Sequence, residues 1–583
     1  MFVSNLEIIN NYFELPISHI HKKEELKKNI IDDLELVETV DPSGSSIYSV
    51  AFQPTTCFGK KVLEQFPRVY TTDTIFLKDT QKMLKNYKSI DCEVDFSQIM
   101  DIWDEIKNDT GFKEKYHYID WPMWEHLNKS EWFLQVLSLY NLTSPILSFI
   151  VPIVILFVPF FIIKAKGLPI TFSEYIDVLK IVAANHAIGK LFTQFNSVKM
   201  EEKIYLIVSS AFYIFSIYQN VLTCFRFHQN MIKIHSYLKH IQQYVEYTER
   251  NANNFLQFSE GLTSYSTFNT KVKERISILI EFKNKLQKIT PYHLHFRKIG
   301  ELGTVLKHFY DLYQDTNYND AFLYSFGFNG YIDNIQGLKK NIQDGYINFA
   351  KFSSKKRKNV FKKAYYPALM KNSPVKNDYN FKKNIILTGP NASGKTTILK
   401  SALINIIFTQ QVGSGFYETA QLMPFDFIHC YLNIPDTSGR DSLFQAEARR
   451  CMEVLDCIKE NVGKMHFCAF DELYSGTNPA DAVMSSLAFM EFLIKKKNVT
   501  CILTTHFIEV CKNLDSHTEI ENCYMHTETK DGSEDFNYTY RLKRGISELR
   551  GGLKILNDMN YPKEIIDKTH DRPTNNIFVT KKI

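Results

Sequence analysis

The residues Gly389-Pro390-Asn391-Ala392-Ser393-Gly394-Lys395-Thr396 set two glycines, a lysine and a hydroxyl at the spacing of a phosphate-binding loop. Glycines let backbone N–H groups curl around a phosphate, because no Cβ blocks the approach. Lys395 supplies a charge for the β- and γ-phosphates, and the Thr396 hydroxyl, with Thr397 beside it, is a ligand for Mg2+. The chemistry expected is binding of a nucleoside triphosphate such as ATP. The loop works only between a strand and a helix whose N-terminal partial charge faces the anion. Asn384–Thr388 reads as that strand and Ile398–Phe408 as that helix.

Further candidates follow downstream. Phe467-Cys468-Ala469-Phe470 is an apolar strand ending in Asp471 and Glu472. Asp471 is expected to hold the magnesium, and Glu472 to polarise an attacking water as general base. Val499–Thr505 is another buried-looking strand that delivers His506 at its end, where a γ-phosphate could be sensed. Between them Ala480–Lys497 reads as a helix, giving strand–helix–strand connectivity.

With these segments in place the chain resembles the MutS family of DNA mismatch-repair ATPases. The loop TGPNASGKTT from Thr388 is similar to that family's phosphate loop, and Pro390-Asn391 separates it from a generic one. Gln411-Val412-Gly413-Ser414 falls where the family has a Gln-Ile-Gly-Ser-like stretch. Ser442, Phe444 and Glu447 keep the spacing of its signature segment within Ser438–Glu447. Asp471-Glu472-Leu473-Tyr474-Ser475-Gly476-Thr477 resembles its carboxylate strand and dimer loop, and Thr505-His506-Phe507 its Thr-His-aromatic segment. Lys543–Ser547 and Tyr561–Ile566 are similar to its closing strand and last helix. Tyr366-Pro367 and Asn377-Asp378 resemble segments that flank the adenine, so Tyr366 is expected to stack on the base.

The resemblance implies an α/β nucleotide-binding domain of the ABC-like MutS type at 364–583, preceded by a mostly helical core and lever. It also implies a dimer in which Ser442 of one copy completes the ATP site of the other. ATP binding then closes the two heads as a clamp on double-stranded or branched DNA. Asp33-Leu34-Glu35-Leu36 and Thr55–Leu63 look like the start of the family's core domain, a strand-like segment leading into a Thr-x-x-Gly-x-x-x-Leu helix. So little chain precedes them that neither a mismatch-reading domain nor a connector is expected. Tyr12–Leu15 contains no Phe-x-Glu wedge, and Phe416-Tyr417-Glu418 matches that pattern only by coincidence. The protein is therefore not expected to read mismatches itself.

Composition agrees with a multidomain globular chain: 583 residues, 44% of them hydrophobic. A net charge of +5 at this length excludes a polybasic nucleic-acid binder overall. Ten cysteines without a C-x-x-C pair or a Cys/His set at zinc spacing point to a reducing, intracellular compartment and no structural metal. No signal peptide is visible at the amino terminus.

Residues 1–131 read as the first part of the core, with helical pattern at Thr80–Tyr87, and 227–363 as lever-like helices and a basic linker. Periodicity dominates Arg226–Gln287, and Lys355–Lys358 with Lys362-Lys363 forms the linker. Between them, 132–226 is an apolar insertion. Ser144–Ile163 is twenty uncharged residues including Pro145, Pro152 and Pro159, and Tyr205–Phe225 is also uncharged. Both reach the roughly 20 residues needed to cross a bilayer. Either they form a transmembrane hairpin, leaving the flanking regions together on the cytosolic side, or they form a buried helical hairpin. The first choice gives the alternative function, a membrane-anchored ATPase whose dimer closure acts on a protein or lipid instead of DNA.

Overall fold

Asp73 and Asp95 each precede apolar residues at helical spacing. In the computed structural model each caps a helix, Thr74–Asn86 and Phe96–Asn108, its carboxylate accepting from first-turn N–H groups. The structure describes residues 5–167, 169–185, 189–191, 195–292, 296–353, 358–432, 434, 442–529, 536–549 and 551–570. They divide into two units. One comprises chiefly Cys92–Glu249 and Arg275–Phe322, the other Leu6–Asp91, Arg250–Glu274 and the chain from Leu323 on.

The first unit is helical. Its long helices are α1 (Glu131–Ala165), the shorter α2 (Phe172–Asn185) and α3 (Met200–Ser259), whose residues from Arg250 belong to the second unit. Pro145, Pro152 and Pro159 all lie within α1. The uncharged stretch Tyr205–Phe225 and the periodic stretch after Arg226 share α3, with no break between them. By length and composition α3 is long and apolar enough to cross a membrane. Burial alone would raise the pKa of Glu105, but Lys115, Lys233, Tyr116 and Tyr237 all donate to it and hold it down to about 2.

In the second unit the N-terminal segment packs on the helix Thr316–Gln343. Gly327, Gly330 and Gly337 of that helix face Phe13, Phe58 and Phe52, and a Cβ at Gly337 would lie 1.8 Å from the Phe52 carbonyl oxygen. Beside them Asp333 accepts from the N–H and hydroxyl groups of Thr55 and Thr56. Asp33–Leu36, expected to be strand-like, is instead the end of a short helix, Lys28–Asp33, followed by a turn. Glu35 has φ 52°, which an extended strand does not allow. A helix at Ile47–Phe52 intervenes before the expected one, which forms as Cys57–Leu63 and is capped by Thr56.

The rest of that unit is α/β. A six-stranded sheet is made of β1 (Asn384–Thr388), β2 (Phe427–Tyr431), β3 (His466–Asp471), β4 (Val499–Thr504), β5 (Ile520–Thr529) and β6 (Phe536–Arg544). Its order is β6-β5-β1-β4-β3-β2, all pairs parallel except β5–β6. Helices α4 (Lys395–Val412), α5 (Leu443–Glu460) and α6 (Pro479–Ile494) connect its strands. A smaller five-stranded sheet gathers Asn348–Phe352, Val360–Ala364, Asn377–Asn380, Ser414–Gly415 and Thr419–Leu422. Gln410 and Gln411 near the end of α4 donate to backbone carbonyls of Thr71, Phe66 and Val69, and Gln411 also accepts from Tyr48. These buried bonds tie the N-terminal segment to the sheet's central helix.

Candidate nucleotide site

The five residues of β1 are all buried, so the loop that follows starts from a fixed point. Gly389 and Gly394 adopt φ values of 153° and 95°. At Gly394 a side chain would be strained and would also press on Tyr540. Ala392, between them, is held at φ 61° without being a glycine. Lys395 opens α4, and its Nζ donates back to the carbonyls of Gly389 and Pro390 at 3.1 and 3.3 Å. The chain thus folds into a ring around the lysine. Burial lowers the Lys395 pKa, opposed by the charges of Glu472 and Asp471.

The parallel order places the end of β4 next to β1 and the end of β3 one strand further. That is why residues so far apart in sequence meet here. Thr396 Oγ1 donates to Asp471 Oδ2 at 2.9 Å, and Thr504 donates to the other Asp471 oxygen. Glu472 is held at φ 52°, with its N–H on the Thr504 carbonyl at 3.0 Å. Its Oε1 lies 2.6 Å from His506 Nε2, and that nitrogen is 3.2 Å from Lys395 Nζ. The His506 contact holds the Glu472 carboxyl below its usual range, against burial.

A cavity of about 780 Å³ opens over these groups. Asn391, Ala392, Gly394, Lys395, Thr396, Thr397, Glu472 and His506 form its polar end. Tyr365, Tyr366, Leu369, Pro374, Val375, Met525 and Tyr540 add apolar and aromatic lining suited to a flat base, with Met525 and Tyr540 lying against Gly394 of the loop itself. Gly389 and Pro390 face a neighbouring cavity instead, with Phe507 and Gly551. Ser393 Oγ is buried without a hydrogen-bond partner in the loop. Together with the Thr396–Asp471 pair, these residues fit a nucleotide triphosphate with a divalent ion.

Ser442 is not among the residues lining the cavity. It caps α5, accepting from Gln445 N–H while the Gln445 side chain accepts from its own N–H. One turn on, Glu447 is buried and accepts from Ser475 Oγ at 3.0 Å and Gly476 N–H at 3.2 Å. The signature helix and the loop after Glu472 are therefore one structure. Residues 435–441, including Ser438–Asp441 of the expected signature, lie outside the described residues, as do 355–357 of the basic linker. Lys362 and Lys363 pair with Asp378 and Glu418.

Residues 385–575 match the family MutS domain V. This chain carries MutS domain V. It is 26% identical to the DNA mismatch repair protein MutS of Leuconostoc citreum over 201 residues, 34% of this chain and 23% of that protein. It is 30% identical to MutS protein homolog 4 of Mus musculus over 231 residues, 37% and 23% of the two chains. With the endonuclease MutS2 of Fusobacterium nucleatum it shares 28% over 191 residues, 32% and 23%. The alignment spans about a quarter of each of these relatives.

Domain V also contains site residues that the sequence did not announce. Met525, Tyr538 and Tyr540 come from the β5–β6 hairpin. Tyr538 donates to the Asn391 carbonyl at 3.0 Å, and Met525 packs on Gly389. A hairpin so far from the loop carries no motif that could have pointed to it. Nor did cysteine and histidine spacing reveal that His429 of β2, His466 of β3 and Cys457 of α5 converge, their donor atoms within 4.8 Å of one another. His429 Nε2 and His466 Nδ1 are 3.1 Å apart.

Proposed function

We propose that this chain is a MutS-family ATPase that binds ATP with Mg2+, hydrolyses it, and uses the bound state to close a homodimer on DNA. The observation that carries the reading is the convergence of Lys395, Thr396, Asp471, Glu472 and His506, all but Asp471 lining a cavity that Tyr365, Tyr366 and Tyr540 also line. Bound magnesium supplies charge neutralisation at the phosphates. Asp471 and Thr396, already joined, are the residues to hold it. Lys395 exchanges its two carbonyl partners for phosphate oxygens. Glu472, kept ionised beside His506, takes a proton from the attacking water, and His506 orients that carboxylate. Tyr366 and the hydrophobic wall hold the base. Ser442 caps a helix and lies outside its own chain's cavity, which favours the reading that it serves a second copy.

DNA as the object gripped rests on the relatives, whose names are those of DNA mismatch repair proteins. Retention on closed circular DNA, compared with linear DNA, with and without ATP, tests it. ATP-dependent retention on circles alone supports a clamp. ATP turnover without any nucleic-acid retention overturns the DNA part and leaves the ATPase part standing. A second reading has the same closure act on a membrane-bound protein or lipid, and the exposed apolar surface of α1 and α3 favours it. In that reading the protein is intracellular and membrane-associated, with domain V in the cytosol.

A further inference from the structure

The helices α1 and α3 are packed with the polarity of a soluble protein reversed. Where they meet, Asn220 donates to Ser148 Oγ at 2.6 Å, and Cys224 faces the Leu142 carbonyl. Ser144 and Ser210 are 6% and 5% exposed, whereas Phe161 and Phe212 are 65% and 70% exposed. The inward residues of α3 follow an alternating four-and-three spacing: Leu206, Ser210, Tyr213, Ile217, Asn220 and Cys224. Most of the residues between them point outward and are apolar, including Ile207, Phe212 and Phe215. On α1, Ile146, Ile150 and Phe161 do the same. In water, burial of such side chains drives helices together, and the serines would face out. In lipid the apolar side chains gain nothing by leaving the tails, so small and polar residues make the contact between helices.

We infer that α1 and the N-terminal part of α3 form a hairpin that spans a lipid bilayer. The contacts Leu142–Cys224 and Ser148–Asn220 set an antiparallel register that lays Ser144–Ile163 alongside Tyr205–Phe225. Both uncharged runs therefore occupy one level. At 1.5 Å per residue, roughly 20 residues make a band about 30 Å tall, the thickness of a hydrocarbon core. Charges stand at its rims. Lys164, Lys166 and Lys199 are exposed at one end, and Arg226 is exposed at the other. Lys164 lies with Nζ 5.8 Å from the Phe160 ring, a cation–π contact near the edge of the band. Tyr140 and Tyr205, both exposed, mark the two rims as interfacial aromatics do.

A second copy of the chain is the competing cover. It would shield one stripe of the pair, yet the apolar surface covers the outward sides of both helices at the same height. Only a solvent that is itself apolar meets all of it. The three prolines of α1 fit this setting, since a membrane helix tolerates proline where a soluble one loses stability. The inference does not draw on the ATPase reading, and either one stands if the other falls.

The test uses the full-length chain expressed in bacteria. The expected result is sedimentation with membranes after a carbonate wash, and flotation with phosphatidylcholine vesicles after reconstitution. In those vesicles Ser216→Cys, in the middle of the band, should react with a charged maleimide at least tenfold more slowly than in the same protein unfolded in dodecyl sulfate. Val158→Asp combined with Phe215→Asp should remove most of the carbonate-resistant fraction. Protein that is monodisperse in detergent-free buffer, as a monomer or as a dimer, overturns the inference. So does Ser216→Cys labelling at the unfolded rate.

Discussion

His506 stands between two opposite charges at the candidate nucleotide site: its Nε2 is 3.2 Å from Lys395 Nζ and 2.6 Å from Glu472 Oε1. The three side chains come from the start of α4, the end of β4 and the residue after β3. The imidazole thus fixes where the Glu472 carboxylate points and helps keep it ionised at neutral pH.

Substituting Glu472→Gln keeps the shape and removes the proposed base. ATP turnover is expected to fall about 100-fold or more, the range for loss of a general base. Nucleotide affinity should hold or rise, since no phosphate contact is lost. Lys395→Ala should abolish binding instead. Turnover by Glu472→Gln at the wild-type rate, measured alongside filter binding of ATP, would remove Glu472 from the role.

The loop itself was legible from sequence because its chemistry is local: the glycines, Lys395 and Thr396 are consecutive, and β1 and α4 flank them. Asp471, Glu472 and His506 were legible because each ends an apolar strand, and a parallel sheet collects strand ends at one edge. The part of the lining that comes from the β5–β6 hairpin was not. Met525 and Tyr540 lie in a hairpin whose sequence reads only as alternating strand, and the pairing that brings it over the loop is long-range. Asp33–Leu36 misled because the strand-like segment there was only implied by the resemblance, and in this chain Glu35 takes a left-handed turn. The N-terminal segment's bond to domain V, through Tyr48 and Gln411, depends on a partner hundreds of residues away and leaves no local trace.

Gly337 offers a test of that N-terminal packing. Glycine to alanine in a helix is ordinarily favourable by about 1 kcal/mol. Here the added methyl would meet the Phe52 carbonyl, a backbone atom that cannot rotate away. Gly337→Ala should destabilise the second unit by about 1–3 kcal/mol, as overpacking does, and lower its unfolding temperature. Gly345→Ala, with φ 77° but open space around it, serves as a control for strain without collision. A Gly337→Ala protein as stable as the wild type would mean that Phe52 does not approach this helix.

The buried pair His429 and His466 should make the fold acid-sensitive. Burial, aided by the neighbouring His466, pushes His429 down to about 3, and burial lowers His466 as well. A histidine held neutral in the native state contributes no penalty above its unfolded pKa near 6.5. As pH falls below that, the unfolded chain gains protons the folded one refuses. Stability then drops by up to about 1.4 kcal/mol per pH unit per group, down to the folded pKa. His429→Gln should flatten this slope between pH 6.5 and 5, read as denaturation midpoints against pH. Equal slopes for variant and wild type would show that His429 is protonated in the fold.

The position of Ser442 predicts how two damaged copies should help one another. Its hydroxyl accepts from the Gln445 N–H and its own N–H is taken by the Gln445 side chain, so it is rigidly presented at the start of α5. Glu447, on the same helix, fixes that start to Ser475 and Gly476, two residues of the loop that leaves Glu472. A rigid hydroxyl braced against the loop that leaves Glu472, yet outside its own cavity, is suited to reach a neighbouring copy. If so, a Ser442→Ala chain has an intact loop and no serine to give, and a Lys395→Ala chain has the reverse. Each homodimer should turn over ATP poorly. Mixed one to one, half of the dimers are heterodimers, and each of these holds one complete site, so about a quarter of the wild-type rate should return at equal affinity. A mixture no more active than its components, with heterodimers shown by differential tags, would place Ser442 in its own chain's site or in the helix cap alone.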